Sequence, residues 1–369
     1  MRCTIRIRNP SVKQLDWIPK IVFSDDTDRR TAIEPVNTAR FTLPYLLVGR
    51  LGNVNDVILL RELTASAETL MDRHLSASKS WYPHEIVPWT LGRNFEAGES
   101  WDPEEFPLPD AIRSALYVNL LTEDNLPYYF ETIDRMFSKD GIWKAWSHRW
   151  TAEENRHSIA IRDYLTVTRA IDPRSLEDAR MAQMSGGQVP EPESVADGFV
   201  YVALQELATR IAHRNTGKLL SDAAGDHPGA EAGYEIMARV ATDENFHYLF
   251  YRDITSEAIK LDPSAVVCAI ERQVKEFEMP GTGIIGFTKH AAAIAAAGIY
   301  SLEQHVEQIL KPVILRHWAL EKIEGLSADA EQARDRLVHQ IDRLSRLAAK
   351  LTERAKAVAE RNSPALSHG

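Results

Sequence analysis

Two short segments constrain this 369-residue chain more than any other feature: Glu154-Asn155-Arg156-His157 and Glu244-Asn245-Phe246-His247. Residues three apart on a helix lie on one face, one turn apart, so each pair can offer an oxygen and a nitrogen to one metal ion. With 12 histidines in the chain, roughly one such pair is expected by chance, and the bare motif decides nothing. Its surroundings do. Trp150, Glu154, His157, Ile161 and Leu165 fall on one seam by steps of three and four, as do Met237, Val240, Glu244, His247, Tyr251 and Ile254. Each seam is apolar except for a carboxylate and an imidazole at its middle. Burying an ionised carboxylate without a partner costs on the order of several kcal/mol, and a cation would offset that. The plain alternative, a surface helix with its Glu and His in solvent, fits the apolar seams poorly.

Each Glu-x-x-His is preceded, at a similar distance, by a further helix with a glutamate among apolar residues. Glu123 follows Leu116 and Leu120 and precedes Phe130; Glu206 lies among Phe199, Val202, Thr209 and Ile211. The chain therefore reads as a twofold repeat of helix(Glu) then helix(Glu-x-x-His). That ligand set belongs to ferritin-like bundles that hold two iron or two manganese ions. Six Glu and His ligands favour those metals over zinc, which prefers four-coordinate nitrogen and sulfur sites.

The rest of the chain agrees with an all-α protein: a ferritin-like di-iron four-helix bundle core elaborated with additional helices. Long 3.6-period stretches are separated by loops at Trp89 to Pro109, Ser185 to Ser194 and Met279 to Gly283. The last helix, Ala328 to about Arg361, carries Leu337, Ile341, Leu344, Leu347 and Leu351 as its seam. We expect an N-terminal arm over residues 1–45, one helical domain over 46–361 and a disordered tail over 362–369. Cys3, Ile5 and Ile7 alternate with polar residues and would suit a short strand. Only two cysteines are present, far apart and with no CxxC, which supports neither a thiolate metal site nor a disulfide framework; Cys268 reads as a small core residue. A formal charge of -10 speaks against nucleic acid as a partner. The greasiest stretch, Ala291 to Tyr300, is about half the length of a membrane span, and no signal-peptide pattern opens the chain. A cytoplasmic protein with no membrane span is expected.

From Leu63 to Ala355 the sequence resembles the soluble acyl-[acyl-carrier-protein] desaturases of the stearoyl type. The likeness rests on Leu121-Thr122-Glu123-Asp124-Asn125-Leu126-Pro127-Tyr128-Tyr129 and on Trp150-Thr151-Ala152-Glu153-Glu154-Asn155-Arg156-His157. It continues through Gly198-Phe199-Val200-Tyr201, Gln205-Glu206-Leu207-Ala208-Thr209, His213-Arg214-Asn215-Thr216 and Asp243-Glu244-Asn245-Phe246-His247, and ends at Gly325-Leu326-Ser327-Ala328. The resemblance implies two Fe2+ ions held by Glu123, Glu154, His157, Glu206, Glu244 and His247, with Glu154 and Glu244 bridging. It implies that Thr209 lines an oxygen pocket, and that Trp81 and Asp243 link the surface to the cluster for electron entry. It also implies O2 as co-substrate, acyl carrier protein as the bearer of the acyl chain, a ferredoxin-type electron donor and a homodimer. Two departures stand out. Asn245-Phe246 occupies a place where the family usually has a basic pair, and the Gly186 to Pro190 loop, which borders the acyl pocket in relatives, differs. An oxygenase on the same scaffold is the alternative function. An iron-handling ferritin-like protein is less favoured, because the helices after His247 exceed what a storage cage needs.

Overall fold

The structure, a computed structural model, describes residues 54–137, 140–279, 281 and 283–362; the expected N-terminal arm and strand, and the tail beyond Asn362, lie outside them. The described residues all belong to the unit Arg50–Gly369. The chain enters through α1 (Val54–Glu62), α2 (Thr64–Ala77) and a single turn, α3 (Pro83–Ile86). An irregular stretch leads to α4 (Asp110–Glu123) and α5 (Leu126–Met136). Then follow α6 (Gly141–Thr168), α7 (Pro173–Gly186), α8 (Val195–Ala224) and α9 (Gly229–Leu261). The last part holds α10 (Pro263–Glu276), α11 (Phe287–Ala296), α12 (Leu302–Gln304) and α13 (Ala328–Asn362). No strand occurs among the described residues.

Local chemistry sets these boundaries. Asp172, Ser194 and Asp262 cap α7, α8 and α10 by accepting backbone N–H groups of the first turn, and prolines open α5, α7 and α10. The α4–α5 boundary matters for the site. Glu123 is the last residue of α4, and Pro127, in the first turn of α5, disfavours helix in the residue before it and cannot donate back across the break. The glutamate thus sits at a helix end instead of mid-helix. Between α12 and α13, His305–His317 winds as a π-helix around Pro312. The wider turn moves the carbonyl that a proline ring would strike in an α-helix.

Helices α4, α6, α8 and α9 form the core, with α8 and α9 its most extensive pair. Helix α9 lies so close to α6 that a Cβ on Gly233 would strike the Tyr164 hydroxyl, which donates to Gly229 O at 3.0 Å. The apolar interior falls into two main clusters. The larger joins α1, α2, α8, α10 and α13 to the N-terminal half of α6 and the C-terminal half of α9; the smaller joins α4 to the other halves of α6 and α9. All members of both predicted seams are buried.

Two expectations need correction. On α13, Leu337 and Ile341 are buried but Leu347 and Leu351 are exposed, at 47% and 46%, while Ala348 is buried. The inward stripe runs 337, 341, 344, 348, which keeps the true helical period; the step to Leu347 left it. Cys268 is only partly buried, at the edge of the larger cluster. No described helix is long and apolar enough to cross a membrane.

Asp197, fully buried in the first turn of α8, ties that helix to α10. Arg272 donates to its two oxygens at 2.9 and 2.7 Å, Gln273 at 3.0 Å and Ser194 Oγ at 2.6 Å. Burial pushes this carboxyl up, and the bonds from Arg272, Ser194 and Gln273 outweigh burial, holding it below its ordinary 3.8. A depressed carboxyl stabilises the fold above the unfolded value and loses that contribution as pH falls through the folded one. Asp197→Asn should therefore cost about 1–3 kcal/mol near neutral pH, measured by urea unfolding, and the gap to the wild type should close below pH 3.8.

Candidate metal centre

Six acidic and imidazole side chains meet between the two apolar clusters. Glu123 comes from the end of α4, Glu154 and His157 from α6, Glu206 from α8, and Glu244 and His247 from α9. All are buried; Glu154 is the most exposed at 7%. They form two donor sets, each with its ligand atoms within 4.8 Å of one another: Glu123, Glu154, His157 and Glu244, and Glu154, Glu206, Glu244 and His247. Glu154 and Glu244 belong to both. His157 Nδ1 lies 3.6 Å from Glu123 and Glu154 and 3.7 Å from Glu244. His247 Nδ1 lies 2.8 Å from Glu154 and 3.6 Å from Glu206.

The residues fit a metal pair on one further observation. Both Nδ1 atoms, with Glu154 Oε1 and Glu206 Oε2, are buried and make no hydrogen bond of good geometry. Buried polar atoms are rarely left so, and all four face the shared interior. Their outer atoms, by contrast, are partnered. Asp243 Oδ2 lies 3.3 Å from His157 Nε2, and Glu153 Oε2 lies 3.0 Å from His247 Nε2. Each of these carboxylates immediately precedes the motif glutamate of one helix and reaches the histidine of the other. Accepting the Nε2–H leaves Nδ1 to face the centre and strengthens it as a ligand.

Around this core, Trp81 Nε1 donates to Asp243 Oδ2 at 2.9 Å and Arg156 to the same oxygen at 2.5 Å, with the guanidinium 4.4 Å above the Trp81 ring. Trp81 is buried and lies parallel to the His157 ring at 6.4 Å. Thr209 Oγ1 donates to Glu244 Oε2 at 2.8 Å. Four further residues had no place among the site residues named from sequence. Trp150 Nε1 donates to Glu206 Oε1 at 2.9 Å, and His213 Nε2 lies 3.0 Å from Glu123 Oε1. Glu153 reaches His247, and His74 Nε2 lies 2.9 Å from the same Glu153 oxygen. His213 could have been found, because it follows Glu206 and Thr209 by steps of three and four. His74, on α2, gave no such signal.

The electrostatics follow from crowding. Burial, then the charges of Glu154 and Glu206, push the Glu244 carboxyl well above the ordinary range. Burial pushes Glu123 up too, but bonds from His157 and His213 outweigh it and hold the group at about 2. Both ligand histidines are pulled down by burial and lifted further by the carboxylates around them, so each lies well above the ordinary 6.5. The crowded carboxylates thus favour positive charge on the imidazoles, the same direction in which a cation would act.

Two apolar cavities flank α8. One, of about 90 Å3, is bounded by Thr209, His213, Asn119, Phe287, Ile294 and Ile299. The other, of about 30 Å3, is bounded by Trp150, Ile133, Tyr201, Gln205, Val189 and Pro190; the last two belong to the segment singled out in the sequence.

Comparison with known proteins places the chain. The fatty acid desaturase family pattern matches residues 55–366. The chain belongs to the fatty acid desaturase family. DesA1 of Mycobacterium tuberculosis, named as an acyl-[acyl-carrier-protein] desaturase, is 40% identical over 294 residues, which are 77% of this chain and 84% of that one. The chloroplastic stearoyl-[acyl-carrier-protein] 9-desaturase of Spinacia oleracea is 29% identical over 315 residues, 81% of this chain and 77% of that one. The X-ray structure of the acyl-ACP desaturase DesA2 of Mycobacterium tuberculosis superposes with a TM-score of 0.59 at 27% identity, covering 75% of this chain and 99% of that one. The soluble acyl-ACP branch of desaturases is thus where the chain falls, with an all-α, ferritin-like fold.

A metal that enters must displace the imidazole protons. Because the surrounding carboxylates raise both imidazoles above the ordinary 6.5, metal competes with protons there, and its uptake should weaken as pH falls. Titrating metal-free protein with Fe2+ in a weakly buffered solution should release protons; uptake with no proton release would contradict this arrangement.

Proposed function

We propose that this chain desaturates an acyl chain delivered on acyl carrier protein, using O2 and two electrons from a ferredoxin-type donor. The observation that carries the reading is the sharing of Glu154 and Glu244 between two four-residue donor sets, in a chain whose relatives are named stearoyl- and palmitoyl-[acyl-carrier-protein] desaturases. Two iron ions held by Glu123, Glu154, His157, Glu206, Glu244 and His247 would supply O2 activation and cleavage of unactivated C–H bonds. The reaction balances when two hydrogens leave adjacent methylenes and O2 takes these, two electrons and two protons to give two waters.

The chain's own residues have separable tasks. Glu154 and Glu244, each a member of both donor sets, would be shared between the two ions. Thr209 holds a proton 2.8 Å from Glu244 on the wall of the larger cavity, where it can serve a reacting oxygen. Trp81, bonded to Asp243 beside His157, gives a continuous path toward the partly exposed Arg156 for electron entry. The apolar walls on both sides of α8 favour an aliphatic chain and keep water from the centre. Docking of an acidic carrier on a chain of net charge -10 requires a local basic patch, so binding should weaken with salt. A homodimer in the cytoplasm belongs to the same reading.

The test begins with protein purified without oxygen. About two irons per chain, lost in Glu154→Ala and His247→Ala, are expected. With acyl carrier protein substrates, O2 and reduced ferredoxin, the product should be lighter by two hydrogens, and KM should rise with salt. A product heavier by one oxygen would replace desaturation with oxygenation. Iron absent, or unaffected by both substitutions, would leave the buried cluster a structural feature.

A further inference from the structure

The centre has two imidazole arms, and they are not equally supported. His157 Nε2 lies 3.3 Å from Asp243 Oδ2, an oxygen already taken by the Arg156 guanidinium and the Trp81 indole. His247 Nε2 lies 3.0 Å from Glu153 Oε2, and the second group on that oxygen is neither a guanidinium nor an indole but the His74 imidazole, at 2.9 Å. Arg149 stands against the other Glu153 oxygen, at a side chain 38% exposed to solvent.

His74 is placed with care for a residue of no assigned role. It is buried at 4% and lies almost parallel to the His247 ring, 5.8 Å away with 17° between the planes. Trp146 and Phe246 meet its ring edge-on at 5.1 and 6.0 Å. Its Nδ1 makes no hydrogen bond, so its sole polar contact among the described residues is Glu153. A buried imidazole held by three rings and bonded once is built to hold its one partner. Without it, the only other cationic or N–H partner of the Glu153 side chain among the described residues, besides His247, is Arg149, which would draw the carboxylate outward.

The groups His74, Glu153 and His247 also lie close enough to hold a cation themselves. Such a cation would have to take His247 Nε2, whose proton the Glu153 bond requires, and the Glu153 oxygens are already engaged. A hydrogen-bonded relay accounts for the geometry and a third metal does not.

We propose that His74 is a positioning residue: it pins Glu153 Oε2 between two imidazoles and so sets the ligand strength of His247, at one metal position and not the other. The proposal rests on the metal-pair reading above. Carboxylates behind ligand histidines typically change metal affinity by about 10–100-fold when disturbed. His74→Leu fills the space but removes the N–H. His74→Asn keeps an amide too short to reach Glu153. His74→Gln places an amide N–H close to where Nε2 stood.

The measurement is stepwise Fe2+ binding to metal-free full-length protein, read by bound metal per chain and by the spectrum of the iron, with thermal unfolding as a check on the fold. In the Leu and Asn variants one of two sites should weaken about 10-fold while the other keeps its affinity, and Gln should restore both. Should Leu fail to fold, Asn against Gln carries the comparison. Equal weakening of both sites, no change in Leu and Asn, or no rescue by Gln overturns the proposal. Wild-type protein that takes up no iron overturns both this and the metal-pair reading; intact wild-type binding with unaltered variants overturns this alone.

Discussion

Four carboxylates and two imidazoles buried within a few ångströms of one another are the constraint on which this fold turns. Two like charges 4 Å apart at an effective dielectric of about 20 repel by roughly 4 kcal/mol, and the shared Glu154 and Glu244 feel several such neighbours. No packing of leucines relieves that. Positive charge must be present at the centre, as metal or as protons, and the raised histidines and raised Glu244 show the direction in which the protein relieves it when protons alone are available. A chain that keeps such a cluster in mid-bundle has the donors to hold a cation there.

That requirement reaches outward through hydrogen bonds. Asp243 on α9 serves His157 on α6, and Glu153 on α6 serves His247 on α9, so the two motif helices are cross-tied by the groups that aim their ligands. Trp81 and His74, from the N-terminal helical region, close the two crossings from outside. Trp150 and His213 do the same for Glu206 and Glu123. Disturbing an outer partner should therefore shift the orientation of a ligand before it loosens the fold. The apolar clusters on either side of the centre carry most of the stability, which lets the centre itself be polar.

How much of this could be read from sequence depends on the distance over which each contact acts. The Glu-x-x-His pairs and their seams are local and periodic, and every seam member from Trp150 to Leu165 and from Met237 to Ile254 is buried as the period requires. The glutamates Glu123 and Glu206 were found by the same rule, although the break after Glu123 was not, because it depends on Pro127. His213 was legible by helical step. Glu153 lay in plain view beside Glu154, but its partner is 94 residues away. His74 meets Glu153 across 79 residues and Trp81 meets Asp243 across 162; no pattern within a helix encodes such encounters. The resemblance supplied Trp81 and Asp243, and nothing supplied His74. On α13 the periodic rule failed through one wrong step, where the leucine chosen was the larger residue and the alanine beside it was the buried one.

The pair Asn245-Phe246, where the sequence resemblance implied a basic pair, gains a physical sense from that same corner. Asn245 is half-buried on the outer side of α9 and borders a groove with Arg210, Arg214 and Lys218. Phe246 turns the other way and sets its ring edge against His74. A cationic side chain in its place would stand near Glu153 and compete with His74 and His247 for that carboxylate, as Arg156 competes for Asp243 on the opposite side. An apolar ring cannot compete. It leaves two imidazoles as the inner partners of one Glu153 oxygen, with Arg149 at the other. This departure from the pattern that the resemblance implies therefore touches the Glu153 corner and leaves all six candidate metal ligands in place.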